Sequence, residues 1–208
     1  MARYDAVLFD LLTALLDSWS LWDSVAGNQA DGRRWRAAYL RAAYETGAYR
    51  PYEVLVAEAA EAAGLDRSLA NKLERRWGEL RPWPDVRNTL TAFAHAGIPL
   101  GVVTNCSRRL GFAAAKRVGV PFVTVVTAED AGFYKPDPRP YRQALAELGV
   151  APERCLFVAG SAYGLAGTAQ VGLPTYWHDR VGTPKPEGVR PLAQTRTLLE
   201  LPRFCGLF

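Results

Sequence analysis

The chain opens with a short apolar run over residues 6–9 that stops at Asp10, the pattern of a buried strand delivering a carboxylate to its end. From residue 18 to about residue 80 the texture is alanine-rich and helical, and the spacing predicts helices over 35–44, 52–63 and 67–77 with no strand between them. Beyond Pro82-Trp83-Pro84 the pattern alternates. It predicts helix 86–96, strand 99–103, helix 108–118, strand 122–126, helix 138–148, strand 155–158, helix 163–171 and strand 175–177. Alternation of this kind implies a Rossmann-like parallel sheet with helices on both faces, an α/β fold. The helical stretch interrupts that core, so residues 1–17 and 81–208 are expected to form the core domain and residues 18–80 an inserted helical cap. Residues 182–191, with Pro184, Pro186 and Pro191, read as an extended surface segment leading to a short terminal helix.

Composition narrows the class. Twenty-five Lys plus Arg against 21 Asp plus Glu leave a net charge of +4, and 49% of the 208 residues are hydrophobic, which excludes disordered and fibrous classes. The basic residues are interleaved with acids, so no nucleic-acid footprint is expected, and no apolar run is long enough to predict a membrane partner. Cys106, Cys155 and Cys205 lie far apart without ligand spacing, which suits reduced thiols and a cytoplasmic location. A slightly cationic chain also suits a small anionic substrate.

Four chemically distinctive positions fall just past predicted strand ends: Asp10, Thr104-Asn105, Lys135 and Gly160-Ser161. In a parallel sheet those ends converge on one crevice. A carboxylate near a lysine and a hydroxyl/amide pair supplies a nucleophile, its charge partner and an anion cradle. Gly160-Ser161-Ala162-Tyr163-Gly164 lacks the G-x-S-x-G spacing of a serine elbow. His178, after a short strand, reads as a solvated residue, with a rim position or substrate contact as the alternative. Trp19, Trp22 and Trp35 either line a lid interface or pack the helical insertion.

The ordered strings Val7-Leu8-Phe9-Asp10, Val102-Val103-Thr104-Asn105, Tyr134-Lys135-Pro136-Asp137-Pro138 and Phe157-Val158-Ala159-Gly160-Ser161 resemble the four motifs of the haloacid dehalogenase-like superfamily over nearly the whole chain. The resemblance implies an aspartyl nucleophile at Asp10, anion binding by Thr104 with Asn105, and Lys135 steadying the aspartate. Most members are Mg²⁺-dependent phosphatases, which carry an acid two residues after the nucleophile and carboxylates in the fourth motif. Here those places hold Leu12 and residues 160–164, none of them acidic, so Mg²⁺ is not expected and phosphatase chemistry is a lesser alternative.

The branch most resembled is the metal-independent L-2-haloacid dehalogenases, whose halide leaves without a proton. Tyr141, six residues after Lys135, matches that branch, and Trp35-Arg36 offers its cap arginine, with Arg41 as competitor. Leu11, Leu12, Arg36 and Ser161 are then expected to contact the substrate, a small carboxylate, and the resemblance also accommodates a homodimer. The implied chemistry is displacement of halide by Asp10 and hydrolysis of the resulting aspartyl ester, with no cofactor. Gly164 and Ser161 stand where the branch carries an aspartate and an asparagine, and Thr13-Ala14 replaces its Gly-Thr. Loss of the water-activating acid is worth about 10² to 10⁴ in ester hydrolysis. An impaired chain that binds a small anion or a partner without turnover is the alternative from another class.

Overall fold

The computed structural model describes residues 2–183, 187–188 and 190–207. Its strands are β1 (Ala6–Phe9), β2 (Leu100–Thr104), β3 (Thr124–Thr127), β4 (Cys155–Ala159), β5 (Thr175–His178) and β6 (Ala193–Thr195). They form one sheet in the order β3-β2-β1-β4-β5-β6, every pair parallel. All residues of β1, β2 and β4 are buried, as continuous apolar strands covered on both faces must be. The order reverses between β1 and β4, and in open α/β sheets that switch point opens a crevice at the carboxyl ends of the strands.

Register brings the chemistry into that crevice. Phe9 pairs with Val102 on one side and Val158 on the other, and the Asp10 N–H continues the ladder to the Val158 carbonyl at 2.9 Å. Asp10 therefore emerges level with the ends of β2 and β4. Helices α5 (Val86–His95), α6 (Arg108–Val118), α7 (Ala128–Ala131), α8 (Pro138–Leu148), α9 (Tyr163–Ala169) and α10 (Leu201–Phe204) complete the α/β layers. Asp137 caps α8 by accepting from the Arg139 N–H at 2.9 Å, with Pro138 in the first turn, so the segment carrying Lys135 enters a fixed helix start.

Between β1 and α5 lie α1 (Ser18–Ala26), α2 (Gln29–Thr46), α3 (Tyr52–Ala62) and α4 (Leu69–Arg75). Their apolar residues, among them Trp22, Trp35, Tyr39 and Leu55, join Val7, Phe9 and Val158 in one buried cluster. The other sheet face packs Leu8, Val103, Tyr141, Phe157 and Trp177. Side chains also stitch the inserted helices to the strand-end loops. Tyr39 donates to the Asn105 carbonyl at 2.7 Å, Tyr134 to the Arg50 carbonyl at 2.8 Å and Trp77 to the Leu110 carbonyl at 2.9 Å.

Three expectations change. The helix predicted over 67–77 ends at Arg75, and Trp77–Glu79 winds into a 3₁₀ turn that aims the indole at α6. Edge strand β6 follows the segment over 182–191 read as extended, at a place where no strand is predicted; Pro184 and Pro186 lie outside the described residues. His178 is fully buried, because β5 ends beneath the turn that follows Asp10.

Candidate active site

Asp10 has both carboxylate oxygens occupied by donors. Oδ1 accepts from Lys135 Nζ at 2.7 Å; Oδ2 accepts from Thr13 Oγ1 at 2.6 Å, the Thr13 N–H at 3.0 Å and the Ala14 N–H at 3.3 Å. Burial by itself would raise its pKa. The Lys135 charge, the Lys135 hydrogen bond and those from Thr13 outweigh it, and the carboxyl lies below its ordinary range. Asp10 is thus held as an anion at the mouth of the crevice.

The turn that supplies those donors is itself held from outside. The Thr13 carbonyl accepts from Trp83 Nε1 at 3.1 Å, the Ala14 carbonyl is bonded to His178 Nδ1 at 2.8 Å, and the Leu12 carbonyl accepts from the Ser18 hydroxyl. Burial pushes the His178 pKa down despite its Ala14 bond, so the ring is neutral and donates from Nδ1. At the end of β4 a Cβ on Gly160 would stand 2.0 Å from the Ala14 nitrogen. Only glycine lets the two strand ends approach so closely.

Lys135 is 7% exposed, and its ammonium also donates to the Val103 carbonyl at 2.6 Å. The Asn105 amide clasps the backbone of Lys135, donating to its carbonyl at 2.9 Å and accepting its N–H at 2.7 Å. Asn105 therefore sets the lysine in place, a different task from the anion contact expected of it. Thr104 Oγ1 is buried with no partner.

Arg36 enters from α2 on the opposite wall. It is 1% exposed, with its guanidinium 4.7 Å from the Trp19 ring centre and 5.1 Å from that of Trp22. Its Nε and Nη1 have no hydrogen-bond partner. Desolvation lowers its pKa, an effect opposed by Tyr52, Tyr39 and Asp10. A buried guanidinium with free N–H groups is costly unless an anion meets it.

Between the two walls lies a cavity of about 40 Å³. Of the residues singled out in the sequence, Asp10, Leu12, Arg36, Thr104, Asn105, Lys135 and Ser161 line it, as does Gly164. Two do not: Leu11 is fully buried in the apolar cluster, and Tyr141 lies beneath the site with its hydroxyl 3.3 Å from the Gly164 carbonyl. Leu11 was expected at the substrate because it follows the nucleophile, but the turn rotates it into the core. Arg41 is exposed, whereas Arg36 reaches the cavity. Trp19, Trp22 and Trp35 are buried off the lining. Thr13 and Tyr39, which line the cavity, carry no assigned role in the sequence, and His178, read there as solvated, stands buried behind it. A hydroxyl three residues after the strand-ending acid was the available signal for Thr13.

This donor set does not fit a divalent cation. Mg²⁺ needs several oxygen ligands, and the cavity offers one carboxylate already bound by an ammonium and three further donors. Among the described residues no group of three or more His, Cys, Asp or Glu side chains is placed to hold a metal. No helix among the described residues is long and apolar enough to cross a membrane.

An aspartate held ionised at a parallel-sheet switch point, opposite a cationic wall, is an arrangement suited to nucleophilic attack on a small anionic molecule. The family model for haloacid dehalogenase-like hydrolases matches residues 4–172, and the chain belongs to that family. Among curated relatives it is similar to an (S)-2-haloacid dehalogenase 4A of Burkholderia cepacia, 33% identical over 65% of this chain and 60% of that one. It is also similar to haloacetate dehalogenase H-2 of a Moraxella species, 26% identical over 88% of each. Among solved structures, a dehalogenase crystallised with an intermediate complex superposes with a TM-score of 0.85 at 27% identity over 98% of both chains.

Proposed function

We propose that the chain hydrolyses the carbon–halogen bond of a small 2-halo carboxylic acid through an ester on Asp10, without a metal. The observation that carries this reading is the buried Arg36, whose unpartnered Nε and Nη1 belong to the wall opposite Asp10. Asp10 and the substrate carboxylate are two negative charges in one hollow, and Lys135 and Arg36 are two positive ones. The substrate carboxylate restores the neutrality that an empty cleft lacks, and the guanidinium fork suits both it and the departing halide. Thr104 Oγ1, also unpartnered, is a further donor to the acid.

Oδ1 makes the attack, since a single side-chain donor binds it, and its lone pair forms the bond to the α carbon as the C–halogen pair leaves with the halide. The ester carbonyl is then Oδ2, already cradled by Thr13 Oγ1 and the Thr13 and Ala14 N–H groups. When water adds to the carboxyl carbon, those donors hold the oxyanion. The helices over 18–80 act as the cap that brings Arg36 to the site. A cavity of about 40 Å³ holds only a few water-sized groups, which favours two- and three-carbon acids.

The test is halide release from L-2-chloropropionate and chloroacetate, measured with EDTA and with added Mg²⁺. Release from either acid that is indifferent to EDTA supports the reading. Absence of halide from both, with Mg²⁺-dependent release of phosphate from a generic ester instead, contradicts it.

A further inference from the structure

The two chemical steps are unequally equipped. The first needs an ionised carboxylate and an anion wall, both present. The second needs a group to take a proton from water, and of the residues lining the cavity only Asp10 is a carboxylate and none is a histidine. Once esterified, Asp10 is neutral and has no lone pair at carboxylate basicity to offer. Other candidate bases are engaged or placed elsewhere. His178 is bonded to the Ala14 carbonyl behind the turn, and His95 is exposed at the end of α5. Glu53 accepts from Ser107 at 2.8 Å and from Arg109 at 3.3 Å. The six residues outside the description include no Asp, Glu or His.

Resting on the dehalogenase reading, we propose that the chain captures one equivalent of a 2-halo acid as a persistent Asp10 ester, and that hydrolysis of this ester limits turnover. Capture is balanced by loss of halide. Release requires water to add to the carboxyl carbon, the Cγ–Oδ1 bond to break and Oδ1 to depart with the 2-hydroxy acid, carrying a proton from that water. Thr13 and Ala14 still stabilise the oxyanion, so the step is slow rather than blocked. A general base is worth about 10² to 10⁴ in such a step, which sets the expected gap between the two rates. Hydroxide substitutes for the missing base, so the ester decays faster in proportion to hydroxide at alkaline pH.

The experiment mixes the intact chain with L-2-chloropropionate and follows chloride and intact mass together. Capture predicts a burst of one chloride per chain, a slow linear phase, and a mass increase of one substrate less hydrogen chloride, mapped to the peptide containing Asp10. Linear release with no burst and no adduct overturns capture while leaving the dehalogenase reading in place. No chloride and no adduct overturns both. Gly164 lines the cavity, and a Cβ there would make only ordinary contacts, 3.5 Å to Ala159 Cβ and 3.8 Å to Phe157, so the backbone accommodates the start of a side chain in Gly164→Asp. That variant is expected to speed the slow phase at least ~10-fold. An unchanged slow phase with the adduct still present shows that a missing base is not the limit and overturns the explanation.

Discussion

The two walls of the cleft differ in how their polar groups are satisfied. On the sheet side the groups that hold Asp10 are paired, with Lys135 and Thr13 on the carboxylate, Val103 on the ammonium, Asn105 on the Lys135 backbone, and His178 and Trp83 on the turn; Thr104 Oγ1 and His178 Nε2 are the exceptions. On the helical side Arg36 Nε and Nη1, the Trp19 and Trp22 indole nitrogens and the Tyr52 hydroxyl are buried without partners. Of these only Arg36 lines the cavity, and because buried polar groups are nearly always paired, its unpartnered Nε and Nη1 mark where a ligand would complete the network. On the proposed dehalogenase reading the sheet wall, with its charges preset, is the reaction apparatus, and the helical wall bearing Arg36 is the receptor.

Removing the nucleophile breaks this contrast most severely. Asp10→Asn keeps the shape of the turn and is expected to lower halide release by at least ~10⁴-fold with the thermal transition retained. Arg36→Met separates function from stability: losing a charge-assisted contact to the acid lowers kcat/KM by about 10²-fold. Replacing an unpaired buried cation by an apolar chain meanwhile leaves Tm unchanged or higher. A fall in Tm together with unchanged kcat/KM would reverse the assignment of the two walls.

Smaller effects come from titration. Lys135→Met removes the charge that overcomes burial at Asp10, so the acid limb of the pH–rate profile moves upward. In the wild type the folded pKa of Asp10 is depressed. Its contribution to stability is therefore complete above the unfolded value near ~4 and is lost as pH falls through the folded value. His178 is also depressed, below its ordinary 6.5, so its share starts to go as pH drops past that value. His178→Phe leaves the buried Ala14 carbonyl unbonded, which costs about 1–3 kcal/mol. It also flattens the decline in Tm just below pH 6.5, which a calorimetric pH series reads directly.

Much of the sheet side was legible in the chain because its cues are local. A buried apolar run ending in Asp10 and another ending in Thr104 need no tertiary knowledge, and the helices over 108–118 and 138–148 fall at their expected bounds. What stayed hidden depends on distant contacts. The three residues of β6 carry no alternation and become a strand only by pairing with β5. His178 resembles a solvated polar residue until the turn after Asp10 folds over it. Leu11 and Tyr141 were assigned to the site by nearness in sequence and by resemblance, and packing placed both outside the cavity. Arg36 and Arg41 share a helix, and only docking of α2 on the strand ends distinguishes the buried one.

The central claim is that Asp10 bonds to the substrate carbon. It is tested most directly by a single-turnover reaction with enzyme in excess, in oxygen-18 water, followed by mass analysis of the released acid and of the peptide containing Asp10. Ester hydrolysis predicts the heavy atom in the Asp10 carboxylate and an unlabelled 2-hydroxy acid. Label in the hydroxy acid, with Asp10 unlabelled, would show that water attacks the substrate itself and would contradict the account.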